Sequence, residues 1–181
     1  GNFLTLNADV VYDVTEPVIF DRLEGREDIN TIGLMGYSWG GGTVSKIADA
    51  LEESEYSSVP VHAALIDAVQ LGYRGFVQPV AKRPPVESVF NRYQEHEDPS
   101  LTKIIFDAYS LKLRSFLEDI EAAKSRGAPA RGTALPEKAG DDQKTVGLEF
   151  NHVTIDNIIK SDPRESIVYK AWKHISTHLQ D

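Results

Sequence analysis

The spacing of apolar residues changes most clearly between residues 29 and 51. Residues 29–35 form a short, mostly apolar and β-branched run of strand length, and residues 44–51 carry apolar side chains at helical spacing. The five residues Gly36-Tyr37-Ser38-Trp39-Gly40 join the two segments. The pattern predicts a buried strand, a sharp glycine-framed turn and a helix.

The same periodicities predict further strands and helices on either side of this unit. Residues 59–66 are almost continuously apolar, which is typical of a parallel strand covered on both faces. Pro17 is suited to the first turn of a helix, and Gly25 to its end. The other predicted elements are a helix at 18–23, strands at 86–93 and 145–150, and a closing helix at 163–179. Strands separated by helices indicate an α/β fold with a mostly parallel sheet and flanking helices.

The organisation of the chain indicates one domain over residues 1–181. A length of 181 residues and a hydrophobic content of 41% suit a single core. Helical spacing of apolar residues predicts a helical insertion at about residues 100–126. Gly, Pro, Ala and charged residues predict an exposed, mobile loop at about 127–144 and a further loop at 72–85. Residues 1–14 show no clean period and are expected to be irregular or weakly extended.

Charge and composition exclude several classes of function. A net charge of −9 and a pI near 5.0 argue against nucleic acid or an anionic membrane as a partner. The absence of cysteine removes disulfides, thiolate nucleophiles and cysteine zinc sites, and no calcium-loop or His-Glu-x-x-His spacing supports another metal site. No run approaches the roughly 18 apolar residues of a membrane helix, and the first residues do not read as a signal peptide.

The turn at residues 36–40 has the pattern G-x-S-x-G, which carries chemistry when it joins a strand to a helix. Glycine at Gly36 and Gly40 lets the chain turn tightly enough to expose the Ser38 hydroxyl at the helix N-terminus, where developing negative charge is favoured. The backbone N–H of Trp39 would be one donor to an oxyanion. The alternative is that Ser38 is only a helix N-cap, a role for which serine is favoured.

A serine hydroxyl needs a base to act as a nucleophile, and five histidines are available. His62 lies in an apolar strand, and His96 lies in a charged loop. On the closing helix, His174 and His178 are expected to be either solvated or satisfied by hydrogen bonds. His152 follows a predicted strand and precedes the last helix, so we favour it as the base. The alternative is that His152 only caps the helix or hydrogen-bonds the backbone.

An acidic residue is needed to orient the imidazole and stabilise its charged form. Asp67 directly terminates the apolar strand after the turn, so we favour it. Glu95, Glu97 and Asp98 follow the next strand and are the alternatives, although a charge run of this kind is more simply explained as solvated.

The sequence resembles the α/β-hydrolase superfamily, in particular its lipase- and esterase-like members. The resemblance is carried by four segments: GLMGYSWGGG, VHAALIDAV, VFNRYQ and FNHVTIDN. The resemblance covers roughly residues 29–181. It implies hydrolysis of a lipid or other acyl ester through an acyl-enzyme intermediate, with Ser38, Asp67 and His152 as the catalytic residues and no metal or organic cofactor. Tyr37 and Trp39 would then line the acyl pocket, and the alternative is that they pack in the core.

The chain also departs from that family. Family members have several strands before the turn and take a second oxyanion donor from among them, yet only residues 1–35 precede Gly36 here. Three explanations are open: the chain is an N-terminally truncated fragment, or the hydrolase fold is reduced, or Asn2, Asn7 or a neighbour supplies the second donor. The alternative function is a catalytically inactive module that binds a partner.

Overall fold

The fold was obtained as a computed structural model, which describes residues 12–71, 77–95, 132–148 and 162–179, together with residues 150, 152, 154 and 155. The helices are α1 (Tyr12–Leu23), α2 (Trp39–Glu52) and α3 (Ile167–His178), the last preceded by a 3-10 turn at Pro163–Glu165. The strands are β1 (Ile32–Tyr37), β2 (Val61–Ile66), β3 (Val69–Leu71), β4 (Val77–Pro79), β5 (Ser88–Tyr93) and β6 (Asp142–Thr145).

Within the described residues, four strands form a parallel sheet in the order β1-β2-β5-β6. This order confirms the predicted mostly parallel α/β class. All six residues of β2 are buried, as expected of a central strand that is covered on both faces. In the part of the chain that the structure covers, no helix is long and apolar enough to cross a membrane.

The two faces of the sheet carry separate apolar clusters because successive strand residues point to opposite sides. Ala63 and Leu65 of β2 pack with buried residues of α2, whereas Ala64 and Ile66 pack with buried residues of α3. Helix α3 approaches β1 so closely that a Cβ at Gly33 would lie 2.3 Å from an Ile175 methyl carbon. The helices therefore cover both faces and fix the sheet that carries the candidate site.

The position of α3 agrees with the sequence prediction, whereas the start of α1 does not. Helix α3 lies within the predicted closing helix, and Ser166 caps its N-terminus by accepting a hydrogen bond from the Tyr169 N–H at 3.1 Å. Helix α1 instead begins at Tyr12, so the prediction that Pro17 opens it is wrong, as is the expectation that residues 12–14 are irregular or weakly extended. Its Ile19, Phe20 and Leu23 side chains pack against the core, and we attribute its tolerance of an internal proline to this packing.

The prediction that residues 72–85 form a loop is wrong at residues 77–79, because β4 pairs there with β3 as an antiparallel ladder. Each of these strands has only three residues, too few to produce a periodic pattern. The strand predicted at 145–150 lies earlier in the chain, since β6 spans Asp142–Thr145 and pairs with β5.

Of the exposed, mobile loop predicted at about 127–144, the structure describes residues 132–144, and these include anchored side chains. Leu135 is 2% exposed, and the buried Asp141 carboxylate forms an ion pair with Arg83. These contacts anchor the segment beside β5, although most of its residues, including Glu137, Lys138 and Lys144, are exposed. The helical insertion predicted at about 100–126 lies outside the described residues.

Candidate active site

Three polar residues come directly after three neighbouring parallel strands. Ser38 follows β1, Asp67 follows β2 and Gln94 follows β5. Because the carboxyl ends of parallel strands meet at one edge of the sheet, the topology brings these three side chains together. His152 reaches the same edge from the segment after β6.

The turn that carries Ser38 is tight and strained. Ser38 has φ 55° and ψ −125°, a conformation that residues with a side chain rarely adopt. It is held because its N–H donates to the Ile66 carbonyl at 3.0 Å and its carbonyl accepts from Gly41 and Val69, each at 3.0 Å. A Cβ at Gly36 would lie 2.2 Å from the Gly40 carbonyl oxygen, so this turn requires glycine at Gly36.

The Ser38 side chain does not cap α2, although Ser38 occupies the position before the helix. Its hydroxyl oxygen instead lies 2.7 Å from His152 Nε2. The residue remains partly exposed, whereas His152 is fully buried. The N-cap alternative therefore does not describe the Ser38 side chain, which is directed at the histidine.

His152 connects Ser38 to a carboxylate. Its Nδ1 lies 2.5 Å from Asp67 Oδ2, so the three side chains form a continuous hydrogen-bonded chain. With Nδ1 protonated and donating to the carboxylate, Nε2 has its lone pair available to accept the proton of the Ser38 hydroxyl. This arrangement can activate the hydroxyl, and it can stabilise the imidazolium that forms when the proton is transferred.

Asp67 is the acidic residue that the structure brings to His152. It is 5% exposed and has φ 44°, and its backbone N–H donates to the Arg92 carbonyl at 2.7 Å. The alternative Glu95 is exposed. The other two alternatives, Glu97 and Asp98, lie outside the described residues.

The aromatic residues on either side of Ser38 occupy different positions. The Tyr37 ring stacks on the His152 imidazole, with ring centroids 5.2 Å apart, and its hydroxyl donates to the His152 backbone carbonyl. Tyr37 therefore contacts the histidine, in addition to any role beside a substrate. Trp39 begins α2, at the helix end that favours negative charge. Asn2 and Asn7, the residues considered for a second oxyanion donor, lie outside the described residues.

Gln94 is a site residue that the sequence analysis missed. It is 1% exposed, and its Nε2 donates to Asp67 Oδ2 at 2.9 Å. The sequence does carry a signal, because Gln94 follows its strand as directly as Ser38 and Asp67 follow theirs. That signal is usable only when the three strands are known to be neighbours.

Three other histidines cluster at the opposite end of the sheet, around Ser88 at the start of β5. Ser88 Oγ lies 2.8 Å from His62 Nδ1, 3.0 Å from His174 Nε2 and 3.5 Å from His178 Nε2. The His62 and His178 rings stack with centroids 3.9 Å apart. Of the two states expected for His174 and His178, solvated or hydrogen-bonded, the structure shows the second, with α3 packing both side chains against the sheet.

Burial lowers the pKa of His62, and the neighbouring His178 and His174 lower it further. Burial also lowers the pKa of His174, with a further lowering by His178 that Asp142 and Asp141 oppose. Among the described residues, no group of three or more potential metal ligands is arranged to hold an ion.

Comparison of the chain with protein-family models, with curated proteins and with solved structures gives no match.

Proposed function

We propose that the protein is a serine hydrolase of the α/β-hydrolase kind, which cleaves a lipid or other acyl ester through an acyl-enzyme intermediate. The observation that carries the proposal is the hydrogen-bonded chain from Ser38 Oγ to His152 Nε2, at 2.7 Å, and from His152 Nδ1 to Asp67 Oδ2, at 2.5 Å. The parallel sheet with helices on both faces and the strained turn at Ser38 support the same assignment.

In the first half of the reaction, Ser38 Oγ attacks the ester carbonyl carbon while His152 Nε2 takes the hydroxyl proton. The carbonyl electron pair moves onto oxygen, and the N-terminus of α2, beginning at Trp39, favours the resulting negative charge. When the electron pair returns, the bond to the leaving oxygen breaks and His152 gives its proton to the departing alcohol. Asp67 stabilises the imidazolium between these transfers.

In the second half, water replaces the alcohol. The water oxygen attacks the acyl carbon while His152 takes a proton from the water. The bond between the acyl carbon and Ser38 Oγ then breaks as His152 returns the proton to the serine. The products are a carboxylic acid and free enzyme. Each proton transfer uses the same Nε2 atom, which is why the tautomer fixed by Asp67 matters for both halves.

A non-catalytic binding module would be favoured by a Ser38 hydroxyl with no histidine within hydrogen-bond reach. His152 Nε2 is within that reach, at 2.7 Å. A strained serine, a buried imidazole and a buried carboxylate are costly to retain unless they serve chemistry. We therefore place turnover ahead of binding.

The proposal is tested by labelling the purified chain with a fluorophosphonate, which reacts with activated serines. We expect wild type to be labelled and Ser38→Ala and His152→Ala to be unlabelled. Ser88→Ala is the matched control, because the Ser88 hydroxyl also bonds histidines but is only 2% exposed. It should label like wild type. A folded wild-type protein that resists the probe, or label retained in Ser38→Ala, would refute the proposal.

The role of the acid is tested separately with a short-chain p-nitrophenyl ester. Asp67→Asn should lower kcat by roughly 10³- to 10⁴-fold, because the asparagine amide can no longer hold the productive imidazole tautomer. Glu95→Gln makes the same carboxylate-to-amide change at an exposed site and should leave kcat unchanged. Equal losses in the two variants would show that Asp67 is not the acid.

A further inference from the structure

Gln94 and His152 donate to the same oxygen of Asp67. His152 Nδ1 lies 2.5 Å and Gln94 Nε2 lies 2.9 Å from Oδ2. Gln94 is 1% exposed, Asp67 5% and His152 0%, so these contacts are sheltered from water. Hydrogen bonds to a charged group in such surroundings are stronger and more directional than those at a surface.

The Gln94 backbone is itself held in place. Gln94 directly follows β5, and its backbone carbonyl accepts a hydrogen bond from the Gly132 N–H at 2.5 Å. Two residues earlier, the Arg92 carbonyl accepts from the Asp67 N–H at 2.7 Å. The end of β5 therefore fixes both the backbone and the carboxylate of Asp67.

An uncharged donor suits this position for a physical reason. A lysine or arginine would neutralise the carboxylate and weaken its attraction for the imidazolium, whereas an amide orients the carboxylate and leaves its charge in place. A second hydrogen bond is also useful because Asp67, at φ 44°, lies on a strained turn.

We propose that Gln94 is a positioning residue for the reaction, which holds the Asp67 carboxylate in the orientation that His152 requires. This inference rests on the proposed serine hydrolase function. It assigns to Gln94 an effect on the chemical step and on its pH dependence, exerted through Asp67 and without contact with the substrate.

The first test is Gln94→Met, which keeps the length of the side chain and removes its donor. With a short-chain p-nitrophenyl ester, kcat should fall about tenfold, since a misplaced imidazole weakens the chemical step. KM should stay within about twofold, because no substrate contact is lost.

The second test is Gln94→Glu, which is nearly isosteric and adds a carboxylate. An additional negative charge beside Asp67 favours the imidazolium form of His152, so the acid limb of the kcat/KM profile should move up by about one pH unit. Gln143→Glu is the matched control, since Gln143 bonds Asn91 and the Leu135 backbone, and has no hydrogen bond to Asp67. Its acid limb should coincide with that of wild type.

The inference is overturned if folded Gln94→Met keeps the wild-type kcat, or if the acid limb of Gln94→Glu does not move or moves no further than that of Gln143→Glu. If Gln94→Met fails to fold, Gln94→Asn takes its place, because the shorter side chain withdraws the amide from Asp67; a wild-type kcat in folded Gln94→Asn overturns the inference. Failure of the underlying function is distinguishable, because it would appear as the absence of labelling and turnover in wild type itself. Failure of the inference alone would appear only in the variants.

Discussion

Replacing Asp141 with alanine is expected to destabilise the fold by about 3 kcal/mol, the lower end of the range for breaking a buried ion pair. The Asp141 carboxylate accepts bonds from Arg83 at 2.5 and 2.8 Å, from the Val89 N–H at 2.9 Å and from the Lys138 N–H at 2.8 Å. The Arg83 and Asp141 side chains are 8% and 5% exposed. One carboxylate therefore joins the Arg83 segment and the turn at Lys138 to β5.

The size of the effect follows from what alanine would leave behind. Burial acts to raise the pKa of Asp141, but hydrogen bonds from Arg83, Lys138 and Val89 outweigh it and hold the pKa below its usual value. Without the carboxylate, the Arg83 guanidinium stays buried, with its bond to the Pro136 carbonyl and no opposite charge. An uncompensated buried charge costs far more than a missing surface contact.

Urea and thermal denaturation measure the effect, with Asp28→Ala as the control. Asp28 also pairs with an arginine, Arg26, at 2.7 Å, but their side chains are 70% and 40% exposed. We expect no measurable change from Asp28→Ala and a fall in Tm of about 6 to 12 °C from Asp141→Ala. Arg83→Met combined with Asp141→Leu should restore much of the loss. Equal effects of Asp141→Ala and Asp28→Ala would refute the reasoning.

Two further predictions concern the turn and the histidine cluster. Gly36→Ala places a Cβ 2.2 Å from the Gly40 carbonyl oxygen, so we expect a loss of about 1–3 kcal/mol on urea denaturation and loss of fluorophosphonate labelling. Normal labelling would show that the turn tolerates a side chain. Because the pKa values of His62 and His174 lie below their usual 6.5, the unfolded chain binds more protons as pH falls through 6.5. The free energy of unfolding should then fall by up to ~1.4 kcal/mol per pH unit per histidine, levelling off below the folded-state pKa, in urea titrations at pH 7.5, 6.5 and 5.5. His62→Gln/His174→Gln should flatten this dependence, and an equal slope in that variant would contradict it.

Local sequence patterns predicted the part of the site that depends on neighbouring residues. The strand, turn and helix around Ser38 were predictable because apolar periodicity and the Gly36 requirement act within a few residues. The fully buried β2 was predictable from its continuous apolar run, and α3 from its helical spacing. The sequence placed Asp67 between Ser38 and His152 in chain order, but it could not show that Asp67 contacts His152. The other acidic residues therefore remained open as alternatives.

What only the tertiary structure decided is which polar groups meet. Asp67 and His152 are 85 residues apart, and Arg83 and Asp141 are 58 apart. A polar residue that follows a strand has the same local pattern whether its partner is water, a histidine or a glutamine. Strand order and register select the partner, as they do for Gln94 and for the histidines around Ser88. The sequence alone therefore predicted the strand, turn and helix around Ser38, while the parallel sheet determined the partners, because hydrogen bonds between distant residues depend on geometry that no short segment contains.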